Sequence, residues 1–205
     1  MLKNTLKVML VAPLLLISST VLESTYSFTG VNTNEINVSN QLSLDVNQLS
    51  DSSVSFKFSN LTGGTQSFIG EIYFDFLGTD YIASLTQTDQ SGSVLFTTDL
   101  NPNGSFPEGN SIGFKKYDAG ATKDGGQNGV DMGEFLILTA LLNPNVNVDS
   151  LLQSGELRIG LHVQGFATGG SDSYVNTPNA VPLPAAAWLF GSALVGFAGL
   201  SRRRL

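Results

Sequence analysis

Between residues 25 and 180 the chain alternates apolar and polar positions in short runs. Leu42, Leu44 and Val46 are separated by Ser43 and Asp45, and Val54, Phe56 and Phe58 by Ser55 and Lys57. Ile72, Phe74 and Phe76 oppose Glu71, Tyr73 and Asp75, while Leu157, Ile159, Leu161 and Val163 oppose Arg158, Gly160, His162 and Gln164. A period of two puts alternate side chains on opposite faces, which is the mark of a half-buried strand. Further strands are predicted around 81–85, 94–98, 111–115 and 133–140.

Turn-forming residues fill the intervals at Asn60–Gly64, Asp89–Gly92, Asn101–Asn110 and Asp118–Gly129. Helical spacing is confined to Val148–Gln153, a single turn capped by Asn147 or Asp149. Seven to nine short strands, each with one apolar face, predict an all-β fold of two packed antiparallel sheets, a β-sandwich or jelly roll. Eleven of the 13 Phe residues lie in this region and supply its core.

The two ends break the alternation. Residues 1–24 place Lys3 and Lys7 before an apolar run from Val8 to Ile17, followed by Ser and Thr. This arrangement predicts a signal peptide read by the Sec translocon, cut between Ser19 and Ser27. At the other end Val181, Pro182, Leu183 and Pro184 precede an apolar stretch from Ala185 to Ser201 and then Arg202, Arg203 and Arg204. Seventeen residues, almost wholly apolar, are near the lower limit for a membrane span, and the three arginines hold their end on the cytoplasmic side. The domain plan is therefore a signal peptide at 1–24, a β ectodomain at 25–180 and a C-terminal helical segment at 181–205.

The run VPLPAAAWLFGSALVGFAGLSRRRL closely resembles the PEP-CTERM sorting signal of Gram-negative bacteria that make exopolysaccharide. Leu183 stands where the namesake pattern has Glu, giving the V-P-L-P variant. The resemblance implies an exosortase partner that cuts near the motif, transient inner-membrane anchoring, and delivery to the cell surface or an extracellular polysaccharide matrix. The block Gly155–Phe166, followed by Gly169–Asn176, is similar to the end of the ectodomain in many small proteins carrying that signal.

Composition narrows the chemistry. Only 13% of the 205 residues are charged, against roughly 25% in an ordinary soluble domain, so the surface is built from uncharged polar groups. The absence of cysteine removes disulfides, thiolate metal sites and a cysteine nucleophile. A formal charge of −7 argues against nucleic acid as a partner, since phosphate binding needs clustered Lys and Arg. Without residues 1–24 and 181–205 the ectodomain keeps 5 basic and 16 acidic residues and a charge of −11.

Few residues stand out as chemical. His162 is the single histidine, on the polar side of a strand and with no second histidine to form a relay, so it reads as a packing or surface residue. Asp118, Asp124, Asn128, Asp131 and Glu134 on a Gly-rich loop are the candidate calcium ligands, without the EF-hand order. No other cofactor is expected.

The leading expectation is a non-enzymatic exported protein of the envelope or matrix. One alternative is a carbohydrate-binding module using Tyr73, Tyr81, Tyr117 or Tyr174 as stacking platforms. Another is a glycan hydrolase drawing a carboxylate pair from Glu71, Asp75, Asp131 and Glu134.

Overall fold

The computed structural model describes residues 23–31, 34–100, 105–114, 117–143 and 146–178. Nearly all of the predicted signal peptide and the whole sorting segment, with Val181–Pro184 and Arg202–Arg204, lie outside them. Among the described residues no helix is long and apolar enough to cross a membrane.

The strands are β1 (Glu23–Gly30), β2 (Leu42–Ser50), β3 (Ser53–Asn60), β4 (Phe68–Phe76), β5 (Ile82–Gln90) and β6 (Phe96–Asp99). They continue as β7 (Ala119–Lys123), β8 (Val130–Asp131), β9 (Glu134–Leu142), β10 (Leu157–Gln164) and β11 (Ser171–Asn176), with one helix, α1 (Val148–Ser154), before β10. Every pairing is antiparallel, as expected.

The strands form one path rather than two separate sheets, in the order β5-β9-β3-β2-β1-β11-β10-β4-β7-β6, with β8 beside β4. The join is β1, which pairs with β2 through Glu23–Ser27 and with β11 through Phe28–Gly30. The two end strands meet through side chains. Thr98 Oγ1 donates to the Leu85 carbonyl at 2.8 Å, and Gln87 Oε1 accepts from the Phe96 amide at 2.7 Å. These bonds satisfy edge groups that would otherwise offer a ladder to another chain.

The inner faces of the two halves pack on each other. Phe74 of β4 meets Phe56 and Phe58 of β3 edge-on, with ring centroids at 5.0 and 6.3 Å. That T-shaped geometry is the favoured one for aromatic pairs, and all three rings are fully buried. The helix forms where the sequence places it: the Asn147 side chain accepts from the Ser150 amide, and Gly155 ends the helix at φ 78°.

Two further predictions change. Residues 111–114 do not form a strand, because the chain makes a 3₁₀ turn at Gly109–Ile112, flanked by left-handed Glu108 and Gly113, and the last residue of the predicted strand lies outside the described residues. Residues 118–129 are not one loop, because β7 occupies their first half. The turn lies over the outer face of β4 and β10, where Phe106 and Phe114 cover Tyr73 in a second, smaller apolar cluster.

A buried amide network ties one end of the fold together. Gln41 Nε2 donates to Asn60 Oδ1 at 2.9 Å and to the Thr65 carbonyl at 3.0 Å. Asn60 Nδ2 donates to the carbonyls of Ser67 at 2.9 Å and Val130 at 3.2 Å. The network fixes the starts of β4 and β8, and with them the residues between which a cleft opens.

Candidate functional site

The outer faces of β4 and β10 bring together residues far apart in sequence. Asp75 is opposite Arg158, Tyr73 opposite Gly160, and Glu71 opposite His162. A register shift beside His162 accommodates Gly70 as an extra residue, so Phe68 returns to this same face opposite Gln164.

Glu71 is the hub of the row. Its Oε2 lies 2.9 Å from His162 Nδ1 and also accepts from the Tyr73 hydroxyl. A carboxylate partner places the hydrogen on Nδ1. The histidine bond holds the Glu71 carboxyl below its ordinary value against the opposing effect of burial. Burial, and then Glu71 itself, pushes the Tyr73 phenol far up.

At the other end of the row Asp75 accepts from Arg158 Nε at 2.9 Å and from its Nη2. Burial nevertheless raises the Asp75 carboxyl, with Arg158 pulling the other way. Desolvation thus outweighs the attraction of the partner. Arg158 also donates to the carbonyls of Ile112 at 2.8 Å and Gly113 at 3.1 Å, and stacks over Phe114, which fastens the covering turn to the sheet.

Ser173 sits opposite His162 on β11, so Glu71, His162 and Ser173 occupy three adjacent strands. These are the residue types of an acyl-transfer relay. The Ser173 hydroxyl is sealed from solvent and bonds nothing, so it presents no attacking oxygen.

Beyond Phe68 the row runs into an open cleft of about 490 Å³, lined by Gln66, Phe68, Ser93, Gln127, Asp131 and Glu134 with glycines between them. Phe68 lies against Gly129 and Gly165, where an added Cβ would sit 2.6 Å from the ring in both cases. Glu134 occupies the space left by Gly92, which has φ 60°, and its Oε2 accepts from the Asp131 amide at 3.0 Å. Burial, and then the neighbouring Glu134, raises the Asp131 carboxyl. Lys123 Nζ is 5.5 Å from the Phe68 ring centroid and donates to the Gly125 carbonyl. At an exposed site such a cation–ring contact contributes about 0.5–1 kcal/mol.

The structure redistributes the residues singled out in the sequence. His162 is not alone, since Glu71 pairs with it. The candidate calcium ligands are divided between places: Asp118 stands before β7 and accepts from the Phe76 amide at 2.7 Å, whereas Asp124 and Asn128 are past its far end and bonded to each other. Asp131 and Glu134 do come together, in the cleft. Among the described residues no three His, Asp or Glu side chains converge to hold a metal.

The tyrosines change roles as well. Tyr73 and Tyr174 are buried, whereas Tyr117 and Tyr81 are half-buried and pack edge-on against Tyr73 and Phe76. The aromatic ring in the cleft is Phe68, which the alternation did not single out. Its one signal in the sequence was the neighbouring Gly70, the residue that shifts the register.

Against protein-family models, curated proteins and solved structures, the chain finds no match.

Proposed function

We propose that this is a non-enzymatic exported protein, with a jelly-roll-like β ectodomain that works at the cell surface or in the polysaccharide matrix. The Sec translocon delivers it, residues 181–205 anchor it transiently in the inner membrane, and an exosortase releases it at Val181–Pro184. The observation that carries this reading is the fixed order of motif, apolar stretch and Arg202–Arg204 at the C-terminus, facing a basic and then apolar N-terminus.

Two features of the ectodomain support the reading. Its fold needs no cysteine, so it does not depend on a redox compartment. Two of its outer-face carboxylates are satisfied within the fold, Glu71 by His162 and Asp75 by Arg158.

Fractionation of the native producer with intact-mass analysis tests it. The mature chain is expected outside the inner membrane, ending near Val181. Trp188 is the single tryptophan, so the released protein lacks tryptophan emission. A cytoplasmic chain of full mass overturns the reading.

A further inference from the structure

We propose that the Phe68 cleft binds a neutral glycan chain. The sugar's apolar face would lie against Phe68, and its hydroxyls would donate to Asp131 and Glu134.

The cleft is shaped in advance. Gly129 and Gly165 leave the space in which the Phe68 ring lies. The buried Gln41–Asn60 pair holds Ser67 and Val130, the residues next to Phe68 and Asp131. A site whose ring and acceptors are already fixed loses little freedom when a ligand enters.

Its chemistry selects the ligand. No hydrogen bond reaches the Asp131 carboxylate from the described residues, although the group is half-buried beside Glu134. A partly desolvated carboxylate without a donor favours any ligand that brings one. Sugar hydroxyls are donors, and adjacent hydroxyls match the two oxygens of a carboxylate. The amides of Gln66 and Gln127 can both donate and accept around the same space.

Charge excludes the acidic alternative. Among the described residues the cation beside the cleft is Lys123, which stands over one side of the Phe68 ring and is tied to the Gly125 carbonyl, and the ectodomain carries −11 overall. An anionic polysaccharide would meet two carboxylates and a repulsive field. A neutral chain meets an apolar ring flanked by acceptors, the mixed lining that small-molecule sites share.

The proposal takes its biological setting from the matrix reading above, but its test does not depend on export. Full-length protein in a polyoxyethylene detergent, which has no sugar headgroup, is run on native gels containing laminarin, xyloglucan, galactomannan or dextran, with alginate as the anionic control. Retardation by at least one neutral polymer and none by alginate is expected. Phe68→Ala and Asp131→Asn should each weaken it about tenfold, the scale of losing one central contact, and Phe68→Trp should retain it.

Thermal unfolding checks that each variant is folded. If Phe68→Ala is not, the near-isosteric Asp131→Asn decides. No retardation by any neutral polymer overturns the proposal, as does unchanged mobility of both weakened variants. Retardation lost in EDTA would assign the carboxylates to a cation, and release of reducing ends would make the cleft hydrolytic. Either result also overturns it.

Discussion

His162 Nδ1 of β10 lies 2.9 Å from Glu71 Oε2 of β4, across a separation of 91 residues. The bond joins two central strands on their outer face and lowers the pKa of the Glu71 carboxyl, a shift that stability can report. Because the folded Glu71 carboxyl titrates below its ordinary value near 4.5, it contributes stability above that value and loses it as pH falls through the folded one. Glu71→Gln is therefore expected to cost about 1–2 kcal/mol near pH 6 and less near pH 3, a range set for a partly exposed bond to a charged group. Urea unfolding of both proteins at the two pH values measures the difference. A gap that stays constant between them would mean that the carboxylate charge is not its source.

Arg158 has a different task, since its guanidinium serves Asp75 and two carbonyls of the covering turn at once. Removing it leaves Asp75 buried without a partner, which costs about 3 kcal/mol or more. Arg158→Lys should recover little of this, because a single ammonium cannot reproduce a planar fork with several donors. Hydrogen exchange at Phe114, whose amide bonds the Gly109 carbonyl at 2.8 Å, should accelerate in both variants relative to the core amide of Phe56. Equal protection of Phe114 in Arg158→Ala and the parent would show that the turn is held by other contacts.

Gly160 faces Phe106 so closely that a Cβ would lie 2.9 Å from the ring. Gly160→Ala is thus an overpacking change, expected to cost about 1–3 kcal/mol. Phe106→Leu in the same chain should relieve most of that penalty, because the clash is with the ring alone. A double-mutant cycle in urea reads the coupling directly. Additive costs would place the strain of Gly160→Ala in the backbone instead.

These contacts also show what the sequence could and could not disclose. Alternation identified β2, β3 and β10 because each sets large apolar side chains against polar ones, as with Leu44 and Asp45 or Leu161 and His162. It missed β7, whose inward residues are Ala119 and Ala121 and whose Gly120 lies against Tyr117, so the strand resembles a Gly-rich loop. It placed a strand at 111–115, where the left-handed Glu108 and Gly113 bound a 3₁₀ turn instead.

The partner of His162 was hidden for another reason. Periodicity gives the face of a residue but not the strand opposite, and the β4–β10 register is settled by tertiary packing. The same limit applies to the tyrosines. Tyr73 does face outward as its position implies, yet Phe106 and Phe114 cover it, and no local pattern announces a cover contributed from 30 or more residues away.

The N-terminal end of the fold limits where the proposed signal peptide could be cut. Sequence alone allows a cut between Ser19 and Ser27, but β1 begins at Glu23, with Ser24 and Tyr26 both donating to the Asp149 carboxylate at 2.8 and 2.6 Å. Tyr26 is fully buried, opposite Leu44 on β2. A cut after Tyr26 would remove the pairing of β1 with β2, break the link to α1 and open the sheet where its two halves join. If the chain is exported as proposed, its mature form is therefore expected to start at or before Glu23, and intact mass of protein recovered outside the inner membrane fixes the residue. Asp149→Ala should cost about 1–3 kcal/mol, because it leaves the buried Tyr26 hydroxyl only the long 3.4 Å bond to the Asp149 carbonyl. Tyr26→Phe in the Asp149→Ala background should restore part of that loss. A mature chain beginning after Tyr26 that unfolds at the same urea concentration as one beginning at Glu23 would show that β1 does not close the sheet.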